Sequence, residues 1–252
     1  MKKVAKEKAA LPVNRLILGD AVDSMMKFPD ESVDLVFTSP PYNLRNSSGN
    51  GMKDGRGGKW SNAQLLKGYA STDDAMPHVE YVEWQRKVLW ECWRILKPSG
   101  AIFYNHKWRV QDGELQDRND IVGVIRHGLR QIIIWKRKGG VNFNPGYFLP
   151  TYEVIYVFAK PDFKLAPKAN ALGDVWDIPQ ERDNPHPAPF PLELAERVIG
   201  STKAKVVCDP FCGSGTTCVA AQNLGRAYIG IESSAEYIYM AARRLRGDKW
   251  QG

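Results

Sequence analysis

Apolar residues in this chain alternate between short runs of the kind strands use and stripes at helical spacing, and that alternation predicts the order of elements. Asn14-Arg15-Leu16-Ile17-Leu18 reads as a short strand ending at Gly19-Asp20, followed by a helix over 21–29 and a strand from Val33 to Phe37. Between Val79 and Leu96, the residues Val82, Leu89, Trp93 and Leu96 recur at helical spacing, and Lys97-Pro98-Ser99-Gly100 stops that helix. Strands are expected at Ala101-Ile102-Phe103-Tyr104, from Gln131 to Trp135 and from Glu153 to Phe158. The stretch from Asp162 to Pro191 holds six of the sixteen prolines and reads as irregular. A helix from Leu192 to Ile199, a strand from Lys205 to Cys208 and a helix from Thr217 to Leu224 follow. A strand from Arg226 to Ile231 and a helix from Ala235 to Leu245 close the pattern. This order predicts an α/β, Rossmann-like fold with a mostly parallel central sheet and helices on both faces. Ligands of such sheets collect beyond the carboxyl ends of the strands. Asp20, Ser39, Asp209 and Glu232 each stand at such an end, so one crevice should gather all four.

Bulk properties narrow the class. A chain of 252 residues, 43% apolar, suffices for one domain: 1–13 reads as a flexible basic arm and 14–252 as a single unit. The start, Met1-Lys2-Lys3-Val4-Ala5-Lys6, lacks the apolar segment of a signal peptide. No apolar run approaches the ~20 residues that cross a bilayer, so a cytoplasmic protein without a membrane span is expected. A net charge of +7 favours a polyanionic partner. Cys92, Cys208, Cys212 and Cys218 make no Cys-x-x-Cys pair, and His78, His106, His127 and His186 are scattered, so no metal is expected. Cys92 and Cys208 belong to apolar stretches and should lie in the core.

Two turns carry the chemistry. Ser39-Pro40-Pro41-Tyr42-Asn43 directly follows a strand; the prolines stiffen the backbone and donate no hydrogen bonds, which leaves their carbonyls as fixed acceptors. A polar Ser39 on one side and a flat Tyr42 on the other suit a planar base held by its exocyclic NH2. Far along the chain, Asp209-Pro210-Phe211-Cys212-Gly213-Ser214-Gly215-Thr216-Thr217 joins a strand to a helix. Its glycines allow close approach of backbone to a ligand, and the helix start favours a carboxylate or phosphate. The full G-x-G-x-x-G pattern is absent, since residue 218 is Cys. Asp209 would repel a pyrophosphate but suits an ammonium group, and Glu232 ends the next strand, where an acid commonly takes ribose hydroxyls. An amino acid end, a ribose and a base together describe S-adenosylmethionine.

These motifs resemble those of the amino-methylating DNA methyltransferases, with their (Asp/Asn/Ser)-Pro-Pro-(Tyr/Phe/Trp) catalytic loop and Asp-Pro-Phe-x-Gly-Ser-Gly-Thr cofactor loop. The catalytic loop comes first here, as in the β group, and Asn184-Pro185-His186-Pro187-Ala188-Pro189-Phe190-Pro191 is similar to that group's motif at the start of the cofactor part. The resemblance covers 14–43, 79–104 and 184–245. It implies a methyltransferase fold with a catalytic part over 14–160 and a cofactor part over 184–245. It implies that Asp209, Phe211, Gly213, Gly215 and Thr216 line the methionine end, Glu232 the ribose and Asp20 the adenine, with His186 and Phe190 flanking the pocket. Ser39, Pro40, Pro41 and Tyr42 would hold the target base, rotated out of duplex DNA. Ser at position 39 and Phe190-Pro191 favour cytosine N4, with adenine N6 close behind. No Pro-Cys dipeptide is present, which excludes ring-carbon methylation.

Arg126, Arg130, Lys136, Arg137 and Lys138 form a basic cluster read as phosphate contacts, or else as the protected edge of a sheet. Residues 44–76, which include Arg45, Trp60 and Tyr69, read as a mobile clamp for DNA. Insertions over about 106–150 and an irregular segment over 162–183 leave little room for sequence recognition, so a homodimer or a brief target site is expected. The stripe Trp84, Trp90 and Trp93 reads as core or dimer interface. A protein-amide methyltransferase and a non-catalytic DNA-binding relative remain the alternatives at this level.

Overall fold

The computed structural model describes residues 10–43, 76–108, 110–111, 114–115, 119–125, 128–137, 146, 148–181 and 189–248. The chain opens with β1 (Arg15–Leu18), α1 (Ala21–Met25), β2 (Val33–Thr38), α2 (His78–Ile95) and β3 (Leu96–His106). A hairpin of β4 (Val110–Gln111) and β5 (Glu114–Leu115) precedes α3 (Asn119–Val122), β6 (Leu129–Lys136) and β7 (Tyr152–Ala159). After a 3-10 turn at Ala169–Ala171 come β8 (Val175–Asp177), α4 (Leu192–Gly200), β9 (Val206–Asp209), α5 (Thr216–Asn223), β10 (Ala227–Glu232) and α6 (Ala235–Leu245).

Two expectations change. The helix predicted over 21–29 ends at Met25. Pro29 disfavours helical geometry at Phe28, and the chain leaves through tighter turns, Lys27 N to Ser24 O and Phe28 N to Met25 O. The stretch read as irregular contains β8, which pairs in parallel with β6 because Trp176, 3% exposed, is buried there.

Among the described residues eight strands form one sheet in the order β1-β10-β9-β2-β3-β7-β6-β8. The run from β1 to β3 is parallel. β7 lies antiparallel to both β3 and β6, which leaves the sheet mostly parallel. Side chains alternate between two apolar layers, as the two-residue period of a strand requires. Val36, Ile102, Tyr104, Tyr156 and Phe158 join α1 and α2 on one face. Leu35, Phe37, Ala101, Phe103, Ile155 and Val157 join α4 and α5 on the other. Cys92 and Cys208 are both fully buried. From β9 the chain winds outward to β10, and from β2 it winds the other way to β3. The β2–β9 boundary is therefore the switch point at which a parallel sheet opens a crevice. No helix among the described residues is long and apolar enough to cross a membrane.

Candidate active site at the sheet switch point

β2 delivers Ser39-Pro40-Pro41-Tyr42 to the carboxyl edge of the sheet, with Ser39 half-buried and the next three residues buried. The Pro41 carbonyl accepts from the Tyr81 hydroxyl at 2.9 Å, and that hydroxyl also meets His106 Nε2 at 2.7 Å. Among the described residues nothing donates to the Pro40 carbonyl, which leaves it available to a ligand. Asn43 closes the turn at φ 53°, a left-handed conformation that asparagine tolerates better than most residues, and its Nδ2 donates to Met76 O at 2.8 Å.

Tyr42 is only 5% exposed. Its ring lies 4.9 Å from His106, and its hydroxyl contacts Ser39 Oγ at 2.5 Å, Asn105 Nδ2 at 2.9 Å and Glu153 Oε2 at 3.2 Å. Asn105 also donates to Glu153 Oε2 at 2.8 Å. Glu153, 7% exposed, forms an ion pair with Arg137 at 3.2 Å. Burying a carboxylate costs several kcal/mol unless it is paired and hydrogen-bonded, and this one is both.

β9 brings the second turn alongside. Asp209, 1% exposed, accepts from Thr38 Oγ1 at 2.7 Å, Phe211 N at 3.0 Å and Thr217 Oγ1 at 2.6 Å. Thr38 precedes Ser39 and Thr217 lies in the first turn of α5, so this one carboxylate fastens both turns together. Burial pushes its pKa up from 3.8 to about 6, against the three hydrogen bonds that favour the charged form. Asp209, expected at the methionine end, gives its oxygens to these three donors of the protein itself.

Gly213 and Gly215 take φ of 50° and 84°, where a side chain would be strained. A Cβ on Gly215 would also stand 2.8 Å from the Ala241 Cβ on α6. Arg244 on α6 ties down the same turn, donating to Ser214 O at 2.9 Å and Thr216 Oγ1 at 3.0 Å. Glu232 at the end of β10 accepts from Gly213 N at 3.0 Å and Ser234 N at 2.9 Å, and burial holds its pKa above the ordinary carboxylate value. Asp20 caps α1 through Asp23 N at 3.0 Å and stays exposed. Gly19 N donates to Glu232 O at 2.9 Å, which brings the two acids to neighbouring strand ends. Phe190 rests on Phe37 at 4.9 Å, and Phe211 meets Trp84 edge-on at 5.5 Å.

His186, Arg45, Arg126 and Lys138 lie outside the described residues, as does the expected clamp apart from Met76. The rest of the basic cluster is engaged by the protein. Arg130 donates to the carbonyls of Phe163 and Lys160 at 3.0 and 2.9 Å. Lys136 pairs with Asp177 at 2.8 Å, both well exposed, and half-buried Arg137 pairs with Glu153 at 3.2 Å. The tryptophan stripe divides: Trp84 and Trp93 are partly buried, Trp90 is 58% exposed. Sequence reading missed Thr38, Thr217, Tyr81, Asn105, Glu153 and Arg244. Only Glu153 left a trace, a lone carboxylate opening an otherwise apolar strand.

A parallel sheet with a glycine turn at its switch point and an acid ending the next strand defines a Rossmann-like methyltransferase fold. The DNA methylase family, whose members methylate amino groups, matches residues 33–243, and this chain belongs to it. Type II methyltransferase M.BglII of Bacillus subtilis is 30% identical over 94% of this chain and 70% of its own length. The DNA adenine methyltransferase YhdJ of Escherichia coli strain K12 is 28% identical over 91% of this chain and 82% of its own. TTHA0409 of Thermus thermophilus, assigned as a DNA modification methylase and solved with S-adenosyl-L-methionine, aligns at TM-score 0.66 and 28% identity, covering 92% of this chain and 93% of that one. The PvuII DNA methyltransferase (cytosine-N4-specific) shares the fold at TM-score 0.71 and 21% identity, over 91% of this chain and 85% of that one. The chain is thus an S-adenosylmethionine-dependent DNA amino-methyltransferase.

The residues fit that cofactor. Exposed Asp20 and half-buried Glu232 stand at adjacent strand ends, where they would offer acceptors to ribose hydroxyls and an amino group. The left-handed glycine turn brings backbone close to a ligand, and half-buried Phe211 offers an apolar wall.

Proposed function

We propose that this protein methylates the exocyclic amino group of a base rotated out of duplex DNA, with cytosine N4 the favoured target. The Thr38–Asp209–Thr217 junction carries the reading, because it sets the base-holding turn beside the cofactor turn across a sequence separation of 171 residues. When bound, S-adenosylmethionine supplies an electrophilic methyl group. Glu232, Asp20, Phe211 and the turn from Gly213 to Thr216 hold it, flanked by Phe190 and His186.

The protein's own task is to prepare a poor nucleophile. An aromatic amino nitrogen shares its lone pair with the ring. Hydrogen bonds from its two protons to the Pro40 carbonyl and the Ser39 hydroxyl draw it toward tetrahedral geometry and free that pair. Positioning then does most of the work. Tyr42, pinned by its hydroxyl, offers a rigid flat surface, and stacking of a base on it is worth ~1–3 kcal/mol.

Ser39 and Phe190-Pro191 support cytosine. The likeness to YhdJ, an adenine methyltransferase by name, supports adenine N6 as the second reading. Of the basic cluster, exposed Lys136 is the described residue best placed for phosphate. The short recognition segments imply a brief target site or a homodimer, and DNA as substrate implies action in the cytoplasm. The test uses tritium-labelled cofactor and duplex DNA, followed by nuclease digestion and nucleoside chromatography. Label in N4-methyldeoxycytidine is expected, label in N6-methyldeoxyadenosine supports the second reading, and label in protein or nowhere overturns both.

A further inference from the structure

Alkylation leaves the amino nitrogen with a positive charge and one proton too many, and the buried network behind Ser39 has a direction that bears on where that proton goes. Ionised Glu153 offers only acceptors, so its 3.2 Å contact with Tyr42 takes the single phenolic proton. The same logic fixes the Asn105 amide: the atom 2.8 Å from Glu153 Oε2 must be nitrogen, and that nitrogen also donates to the Tyr42 oxygen at 2.9 Å. With its proton committed to Glu153, Tyr42 can only accept across its 2.5 Å contact with Ser39. Ser39 therefore gives its hydroxyl proton inward; one lone pair meets Asn105 Nδ2 at 3.4 Å, and the other is left for the crevice.

The geometry points to Ser39, Tyr42 and Glu153 as a proton relay in which Glu153 is the terminal acceptor for the proton released by the methylated amino group. The inference rests on the amino-methylation reading above. As the nitrogen–carbon bond forms, the electron pair of the broken methyl–sulfur bond stays with sulfur. One N–H proton passes to Ser39 Oγ, the Ser39 proton to Tyr42 Oη, and the Tyr42 proton to Glu153 Oε2. The amine ends neutral, the sulfonium becomes a neutral thioether, and the carboxylate becomes a carboxylic acid, so the positive and negative charges cancel. Glu153 acts through two hydroxyls and touches no substrate, which makes it a positioning and proton-accepting residue rather than a catalytic one.

The groups facing Glu153 suit that role. Arg137, just after β6, pairs with it at 3.2 Å and sets a cation beside the carboxylate. Lys107, after β3, is close enough to feel both charges: burial and the Arg137 cation lower its pKa, and Glu153 opposes them. Asn105, 1% exposed, holds carboxylate and phenol in register.

The test is single-turnover methyl transfer from labelled cofactor to duplex DNA across roughly pH 5 to 9. Glu153→Gln keeps the shape and an acceptor oxygen but cannot take the proton. Tyr42→Phe breaks the relay in the middle and leaves the Glu153–Arg137 pair intact. Both variants should transfer about 100-fold more slowly, with dissociation constants for cofactor and DNA unchanged, and both should lose the acid limb that the relay predicts for the wild type. A variant that is slower but keeps the wild-type acid limb would show an orienting role only and overturn the relay. Transfer at the wild-type rate by either variant would also overturn it. If Glu153→Gln does not fold because Arg137 is left unpaired, Tyr42→Phe alone decides. Failure of the wild type to label any DNA amino group would instead sink the reading beneath it.

Discussion

Ser39 and Tyr42 sit three residues apart but bear different loads. Ser39 is half-buried and holds no core together, so Ser39→Ala should cost little stability while single-turnover transfer falls by at least about 100-fold. Tyr42 is buried, and Tyr42→Ala should abolish transfer as well as opening a cavity that costs about 3–5 kcal/mol. Both variants should still bind the cofactor by calorimetry, because Glu232, Phe211 and the glycine turn are untouched; loss of binding in both would mean that the loop is misassigned. Asp209 adds a pH signature. Its folded pKa, about 6, lies above the ordinary 3.8, so the folded state holds the proton more tightly than the unfolded chain. The contribution of this raised pKa is fully present below about pH 4 and is lost as pH rises through 6, a change of about 3 kcal/mol. Urea unfolding of the wild type against Asp209→Asn should show the wild type losing that amount relative to the variant between roughly pH 4 and 7. A pH-independent difference would place the Asp209 pKa near its ordinary value.

At the scale of elements, the glycine turn between β9 and α5 constrains both neighbours. Gly215 needs φ of 84° and has Ala241 of α6 within 2.8 Å of where a Cβ would stand. Gly215→Ala should therefore cost roughly 1–3 kcal/mol from backbone strain, more from the contact, and should weaken cofactor binding along with melting temperature. Gly225, with φ of 65° and open space around it, is the control: alanine there should lower stability by strain alone and leave binding intact. Elements of this kind were legible because their signals are local. The apolar run of β2 ends in two prolines, β9 ends in a glycine turn, and α6 pairs an apolar stripe with Ser234, whose Oγ accepts from Tyr237 N at 3.4 Å. β8 was not legible, since three residues are too few for a period. The network behind the Ser39–Tyr42 turn was hidden for another reason. Tyr42 and Glu153 are 111 residues apart and Asn105 and Glu153 are 48 apart, and only the order β2-β3-β7 brings them together. Periodicity along a chain carries no information on which strands will be neighbours. The junction at Asp209 was foreseen as a meeting of two turns, but the threonines that make it look like ordinary turn residues until the strands are set side by side.

At the scale of the whole molecule, the net charge of +7 does not say which cations DNA can reach. Arg137 neutralises Glu153 inside the protein, and Arg130 spends its guanidinium on the carbonyls of Phe163 and Lys160 while lying over the Phe163 ring at 5.8 Å. Lys136 differs: its bond to Asp177 is an exposed pair, worth ~0–1 kcal/mol and readily exchanged for a phosphate. Each phosphate neutralised by a lysine releases condensed counterions, so affinity for duplex DNA falls with log salt at a slope of about −0.9 per contact. Lys136→Ala should flatten that slope by about 1 and weaken binding equally across sequences, with no change in melting temperature. Arg130→Ala should do the reverse, lowering the melting temperature while leaving the slope in place, because its partners are carbonyls of its own fold. Fluorescence anisotropy over a salt series reads the slopes directly. If Arg130→Ala flattens the slope as much as Lys136→Ala does, the guanidinium must leave its carbonyls when DNA arrives, and the basic cluster acts as one surface after all.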